Sequence, residues 1–152
     1  MLDWMILPFK RYAEFSGRSR RMEYWSFALL TFVVYVVCLA IMMAGGLSLA
    51  ALSNPEMAAA QQPGALFYVG GGLVGIFALA AFIPNLALNV RRLHDRNMSG
   101  WFLLLLIVLS AVPFIGILVS IGWLVLMLLP GTPGPNKYGP DPKDPASAEV
   151  FS

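Results

Sequence analysis

Between Tyr24 and Asn136 the chain is charged at five positions only, and three stretches within it, 24–55, 57–90 and 97–136, carry no charge at all over 32, 34 and 40 residues. A soluble fold needs polar side chains along every outward face, so uncharged runs of this length must sit mostly in lipid. Hydrophobic types make up 59% of the 152 residues and charged types 12%, against about 25% charged in ordinary soluble domains. This pattern excludes a soluble enzyme, a nucleic-acid-binding domain, a disordered chain and a disulfide scaffold. It predicts an all-α, polytopic integral membrane protein of one domain: a basic amphipathic segment over 1–23, membrane helices over 24–129, and a Gly/Pro-rich tail over 130–152.

Cys38, the single cysteine, lies inside the first apolar run and reads as a small buried apolar side chain. Eight charges in the first 23 residues precede that run, a poor fit to a cleavable signal peptide, so the run reads as a retained anchor. Apolar residues at Leu2, Met5, Ile6, Phe9 and Ala13 recur at helical spacing, with Lys10, Arg11 and Glu14 displaced from the stripe. Such a helix lies in the headgroup plane or packs against the membrane helices. Ser16 and Gly17 break it, and Ser19 is placed to cap the next helix.

The first span is expected at 24–44, opening on the interfacial aromatics Tyr24 and Trp25, and the second at 65–90. Gly71 and Gly75 form a GxxxG face suited to close approach by another helix. Pro84 is expected to kink the second span, and Asn85 and Asn89, four apart, are expected to point inward as interhelical glue. Residues 101–129 are long for one span and short for two. Pro113 and Gly116 in their middle allow either a single kinked helix or a tight hairpin of 101–112 and 115–129, its irregular backbone sheltered by protein. Five basic residues in 1–23, none in 45–64 and three in 91–100 predict that the N-terminus and the Arg91 loop are cytoplasmic. The hairpin would keep the tail on that side too.

Three polar motifs flank the apolar runs. In Phe15–Trp25, Arg18, Arg20 and Arg21 suit lipid phosphates or set topology, and Glu23 at the membrane boundary calls for a partner, Arg91 or Arg92. In Arg91–Trp101, Arg91 and Arg92 sit at a helix C-terminus whose dipole favours cations. Asn97 and Gly100 supply turn chemistry, Ser99 is a candidate cap, and His94 and Asp95 are expected to join the polar cluster near Trp25 and Tyr138. The residues suggest neither a metal site nor a cofactor. In Gly131–Pro142, a chain of turns at Gly131, Gly134, Asn136, Gly139 and Asp141 reads as a lid over the helix ends. It lacks the lysine and hydroxyl of a phosphate-binding P-loop.

Together and in this order, the three motifs closely resemble the bacterial domain-of-unknown-function family 805, the small YhaH-like inner-membrane proteins, over about Phe9 to Pro142. The matching residues are Phe15, Gly17, Arg18, Arg20, Arg21, Glu23, Tyr24 and Trp25, then Arg91 to Asp95 with Ser99, Gly100 and Trp101, then Gly131, Thr132, Gly134, Asn136, Tyr138, Gly139, Asp141 and Pro142. Pro113 and Gly116 stand where that family has a proline and a glycine, and Phe102 stands where a second tryptophan is frequent. The resemblance implies a bacterial inner-membrane location and no activity, substrate or cofactor. The residues themselves favour a non-enzymatic scaffold that binds anionic lipid, a membrane-protein partner helix or a second copy of itself. A small transporter or channel component, drawing on Asn85 and Asn89, is the alternative, and a headgroup enzyme with His94 as base comes third.

Overall fold

The computed structural model describes residues 1–46, 48, 53–60 and 62–144. The end of the tail from 145, and parts of the 45–64 connector, lie outside the described residues. Among those described, regular structure is helical apart from one isolated bridge between Asn136 and Gly139. The helices are α1 (Leu2–Lys10), α2 (Arg21–Ala44), α3 (Pro55–Ala60), α4 (Ala65–Asp95), α5 (Trp101–Ser110) and α6 (Ile115–Leu128). At 24 and 31 residues, α2 and α4 measure about 36 and 46 Å against about 30 Å of hydrocarbon. Only 11% of the most apolar window of each is buried. A soluble core helix would be largely covered, so these surfaces face lipid.

The short helix α3 was not anticipated inside the alanine-rich connector. Its signal is local: Asn54 Oδ1 accepts the backbone N–H groups of Glu56 (3.0 Å) and Met57 (3.4 Å), and Pro55 occupies the first helical position, where its missing N–H costs nothing.

The chain divides into two compact units, residues 29–82 and residues 1–28 with 83 onward. In the first of these, Tyr35 meets Phe77 edge-on at 5.6 Å, and the close helix approaches occur at Gly45 and Gly70. A Cβ on Gly45 would strike the backbone of Leu66 and Phe67, and one on Gly70 would strike Met42 and the Cys38 carbonyl. Gly71 and Gly75 have nothing within 4 Å, so the GxxxG face is not the seam of this chain's own helices. Periodicity marks a small-residue stripe but cannot say which of three consecutive glycines, Gly70, Gly71 and Gly72, faces a neighbour. Gly45→Ala is therefore expected to destabilise by about 1–3 kcal/mol through overpacking. Gly71→Ala and Gly75→Ala should be neutral or stabilise by up to about 1 kcal/mol through helix propensity. Thermal unfolding in detergent checks the contrast, and equal losses at all three positions would contradict it.

In the other unit, α1 packs one face and leaves another open. Pro8 is buried and Phe9 stacks edge-on against Phe27 at 5.4 Å, while Leu2 and Ile6, one turn apart, remain exposed as an outward apolar ridge. The helix is short because Arg11 and Tyr12 already turn, and Gly17 then adopts φ +79°. Helix α4 ends in a Schellman motif: Met98 N–H reaches the Leu93 carbonyl and Asn97 N–H that of His94, with Asn97 left-handed at φ 59°. Trp101 N–H reaches Ser99 Oγ at 3.4 Å, and α5 begins.

Helices α5 and α6 form a hairpin. Arg92 donates to the Met127 and Leu129 carbonyls and Arg21 to that of Leu128, so α6 ends beside the residues from which α5 set out. A single kinked span would carry Leu128 to the far side of the bilayer. With 10 and 14 residues, the arms measure about 15 and 21 Å, short of the about 30 Å needed to cross. The structure therefore has two helices long and apolar enough to cross a membrane and a hairpin of two shorter apolar helices. Its turn runs through Pro113 and through Phe114 at φ 66°, and a Cβ on Gly116 would meet the Ser110 carbonyl, so glycine lets α6 start against the end of α5. The expected protein shelter for this turn is not found: Phe114 is 85% exposed. Local bonds substitute for it, from Val112 N–H to Leu109, Ile115 N–H to Pro113 and Gly116 N–H to Val112.

Candidate functional site

The polar motifs converge at the end of the unit where α2 begins and α4 ends, in two ion-pair clusters. Glu23, on the first turn of α2, accepts Arg91 Nη2 at 2.8 Å and the Ser19 hydroxyl at 2.6 Å, with Arg11 at 3.8 Å. Arg91 also donates to the Glu14 carbonyl. One turn further along α4, Asp95 takes Arg18 at 2.9 Å on one oxygen and Arg92 on the other. Consecutive residues on a helix point about 100° apart. Arg91 therefore faces Glu23, and Arg92 faces Asp95 three residues on, so of these two arginines it is Arg91 that pairs with Glu23.

Burial is the decisive property of these clusters. Arg91 and Arg92 are 0% exposed, Glu23 2%, Asp95 3% and Arg18 5%. A lone guanidinium there would be strongly disfavoured, and the pairing with hydrogen-bonded carboxylates offsets that desolvation. Arg18 spends its remaining donors on the carbonyls of Thr132 and Gly134, both at 2.6 Å. Arg92, Arg21 and Arg96 satisfy carbonyls at the C-terminal end of α6, namely those of Met127, Leu128, Leu129 and Pro130, where cations also suit the helix dipole. Arg18, Arg91 and Arg92 are thus internal struts and do not face lipid phosphate, contrary to the expectation for a basic surface patch. Charge spacing could not show this, because the carboxylates and carbonyls that consume them come from distant parts of the chain.

The closing segment folds onto this end as a strap. Thr132 bonds the Asp95 carbonyl through its N–H (2.8 Å) and its hydroxyl (3.1 Å), and the Asn136 amide donates to the His94 carbonyl at 2.9 Å. Gly131 passes so close to the Asp95 carboxylate that a Cβ would overlap it, while Gly134 and Gly139 turn at φ +71° and +139°. His94 stacks flat on Tyr138, with centroids 3.8 Å apart, and its Nδ1 lies 3.2 Å from the Gly17 carbonyl. Both oxygens of Asp95 belong to arginines, so Asp95 does not orient His94 as a base. Trp25 lies edge-on to Tyr24 at 5.4 Å; it is Tyr24, through its hydroxyl, that accepts Trp123 Nε1 at 3.2 Å. Among the described residues no three His, Cys, Asp or Glu side chains converge as metal ligands would.

Asp141 pins the strap by accepting the N–H groups of Lys143 and Gly134, each at 2.9 Å. The bond from Lys143 holds its carboxyl below the usual carboxylate range against the opposing effect of burial, and the bond from Gly134 and the nearby Arg18 add to the lowering. A carboxylate depressed in the folded state stabilises above its unfolded pKa of about 3.9 and loses that contribution as pH falls through the folded value. The protection of the Gly134 and Lys143 amides against exchange, relative to an unfolded chain at the same pH, should therefore be high at neutral pH and fall as the pH drops below about 4. Asp141→Asn should show weaker protection at neutral pH and little dependence on pH.

Beside the buried clusters lies an open cavity of about 520 Å³, lined by Trp4, Lys10, Arg11, Glu14, Arg18, Arg20 and Glu23 among others. Arg20 sits over the Trp4 ring at 5.6 Å. Arg11 pairs bidentately with Glu14 through two 2.7 Å bonds, which raises the arginine further above its ordinary value and holds Glu14 below its own. Sequence reasoning had passed over this pair, although the spacing of three on one turn was legible.

The match to the model described as protein of unknown function (DUF805) runs over residues 12–140, across both clusters and most of the strap. The chain belongs to the DUF805 family. The inner membrane protein YhaI of Escherichia coli K12 is 38% identical over 145 residues, covering 93% of this chain and 97% of that protein. The inner membrane protein YhaH of the same organism is 34% identical over 93% of this chain and 98% of its own length. No solved structure matches the chain. This DUF805 member is accordingly an integral inner-membrane protein.

Proposed function

We propose that this protein is a non-enzymatic membrane scaffold, with its N-terminus on the cytoplasmic side, whose basic end holds the phosphate of an anionic lipid. The observation that carries the reading is the open cavity at the polar end. There Lys10, Arg11 and Arg20 stand beside the interfacial ring of Trp4, while the exposed ridge of Leu2 and Ile6 anchors α1 at headgroup level. Basic residues crowd 1–23 and 91–96 and are absent from 45–64, which supports the cytoplasmic assignment. Mass spectrometry of the purified protein should find phosphatidylglycerol or cardiolipin retained over phosphatidylcholine. Arg20→Lys, which loses the bidentate fork, should weaken that retention. Equal retention of anionic and zwitterionic lipid would reject the lipid role and leave a partner helix on the open Gly71 and Gly75 face. Solute flux in proteoliposomes, abolished by substitution at Asn85, would replace the scaffold by a transporter.

A further inference from the structure

A second recess, of about 350 Å³, lies between α4 and the hairpin, and its polar lining comes from Asn85, Asn89, Ser110 and Ser120. Helix rise puts all four at one depth. Asn89 and Asn85 lie six and ten residues before Asp95, Ser110 nine residues beyond Trp101, and Ser120 eight before Leu128, each about 9–15 Å below the polar end. That is beneath the phosphates, and no charged residue lines the recess. An anionic headgroup is thereby disfavoured.

The hydrogen bonds already made fix what the recess lacks. The Ser110 hydroxyl donates to the Ile107 carbonyl at 2.7 Å and the Ser120 hydroxyl to that of Gly116 at 2.8 Å, so both oxygens are left as acceptors. The Asn89 amide spends its N–H groups on the carbonyl and side-chain oxygens of Asn85. Its own Oδ1 is a buried atom that no donor reaches among the described residues. Trp123 has its Nε1 committed to Tyr24 and offers the recess a ring face. Leu103 and Leu106 supply apolar wall. The recess thus presents several acceptors in an uncharged, apolar setting, and its complement is a neutral molecule bearing a donor.

We infer that this recess binds an uncharged lipid carrying a free hydroxyl, of the diacylglycerol class, with the hydroxyl donating to the exposed Ser120 Oγ and the acyl chains lying along the hairpin. The site is separate from the phosphate cavity and stands without it. The full-length protein is placed in phosphatidylcholine nanodiscs with a diacylglycerol carrying a diazirine in one acyl chain. After irradiation, labelled positions should concentrate in 85–89, 103–110 and 119–123. Unlabelled dioleoylglycerol should compete about fivefold better than its 3-O-methyl ether, the difference that one net hydrogen bond makes. Ser120→Ala should abolish that preference. Equal competition by the ether, or labelling spread evenly along the lipid faces of α2 and α4, would overturn the assignment. So would a full preference surviving in Ser120→Ala, which alters one exposed hydroxyl and preserves the fold.

Discussion

Asp95→Ala is expected to be the most damaging single substitution in the polar end, costing about 3–5 kcal/mol or more. The carboxylate is the sole acidic partner shown for Arg18 and for Arg92, one on each oxygen, and its removal leaves two buried guanidinium groups without counter-charge. Uncompensated buried charge is among the few mechanisms that reach such values. The strap should loosen too, because Arg18 holds the carbonyls of Thr132 and Gly134. Asp95→Asn, which keeps shape and one acceptor, should fall between. Thermal unfolding in detergent and limited proteolysis at 131–141 measure the two effects. A midpoint within about 4 °C of wild type, the size of a 1 kcal/mol change in a chain of this length, would show that the pairs do not bear on stability.

Glu23 and Arg91 carry the second large effect, and a double-mutant cycle isolates it. Glu23→Gln and Arg91→Met are each expected to cost about 3 kcal/mol, since either strips a buried charge of its nearest counter-charge. The double variant should lose about 2–3 kcal/mol less than the sum. A cycle of Glu23 with Arg92 should show smaller coupling, because the Arg92 carboxylate is Asp95. Additive losses for Glu23 and Arg91 would mean that their 2.8 Å contact contributes nothing specific. The buried pairs also join residues 68 and 77 positions apart, so they fix how the start of α2 meets the end of α4.

The parts of the fold governed by solvent were legible before any coordinates. Uncharged runs of 32 and 34 residues admit little but membrane helices, and α2 and α4 lie where those runs do. Local chemistry was legible as well: Asn97 and Gly134 stand where a left-handed backbone was needed, and the Asn54, Pro55 and Glu56 signal for α3 was present although unread. The hairpin was left open by length and by Pro113, because one kinked helix and two short ones have the same hydropathy. What separates them is where Leu128 ends, and that is reported by its bond to Arg21 across 107 residues.

The sequence by itself determined the class, the membrane helices and the family, because burial of apolar side chains in lipid and backbone turns depend on composition and nearest neighbours. Tertiary structure alone decided which arginines are struts and which face a cavity, which glycine bears the close approach, and that Asn89 and Ser120 line one recess. Those outcomes depend on long-range pairing. A charge or an amide placed at the end of a helix has several admissible partners in sequence, and only packing assigns it one.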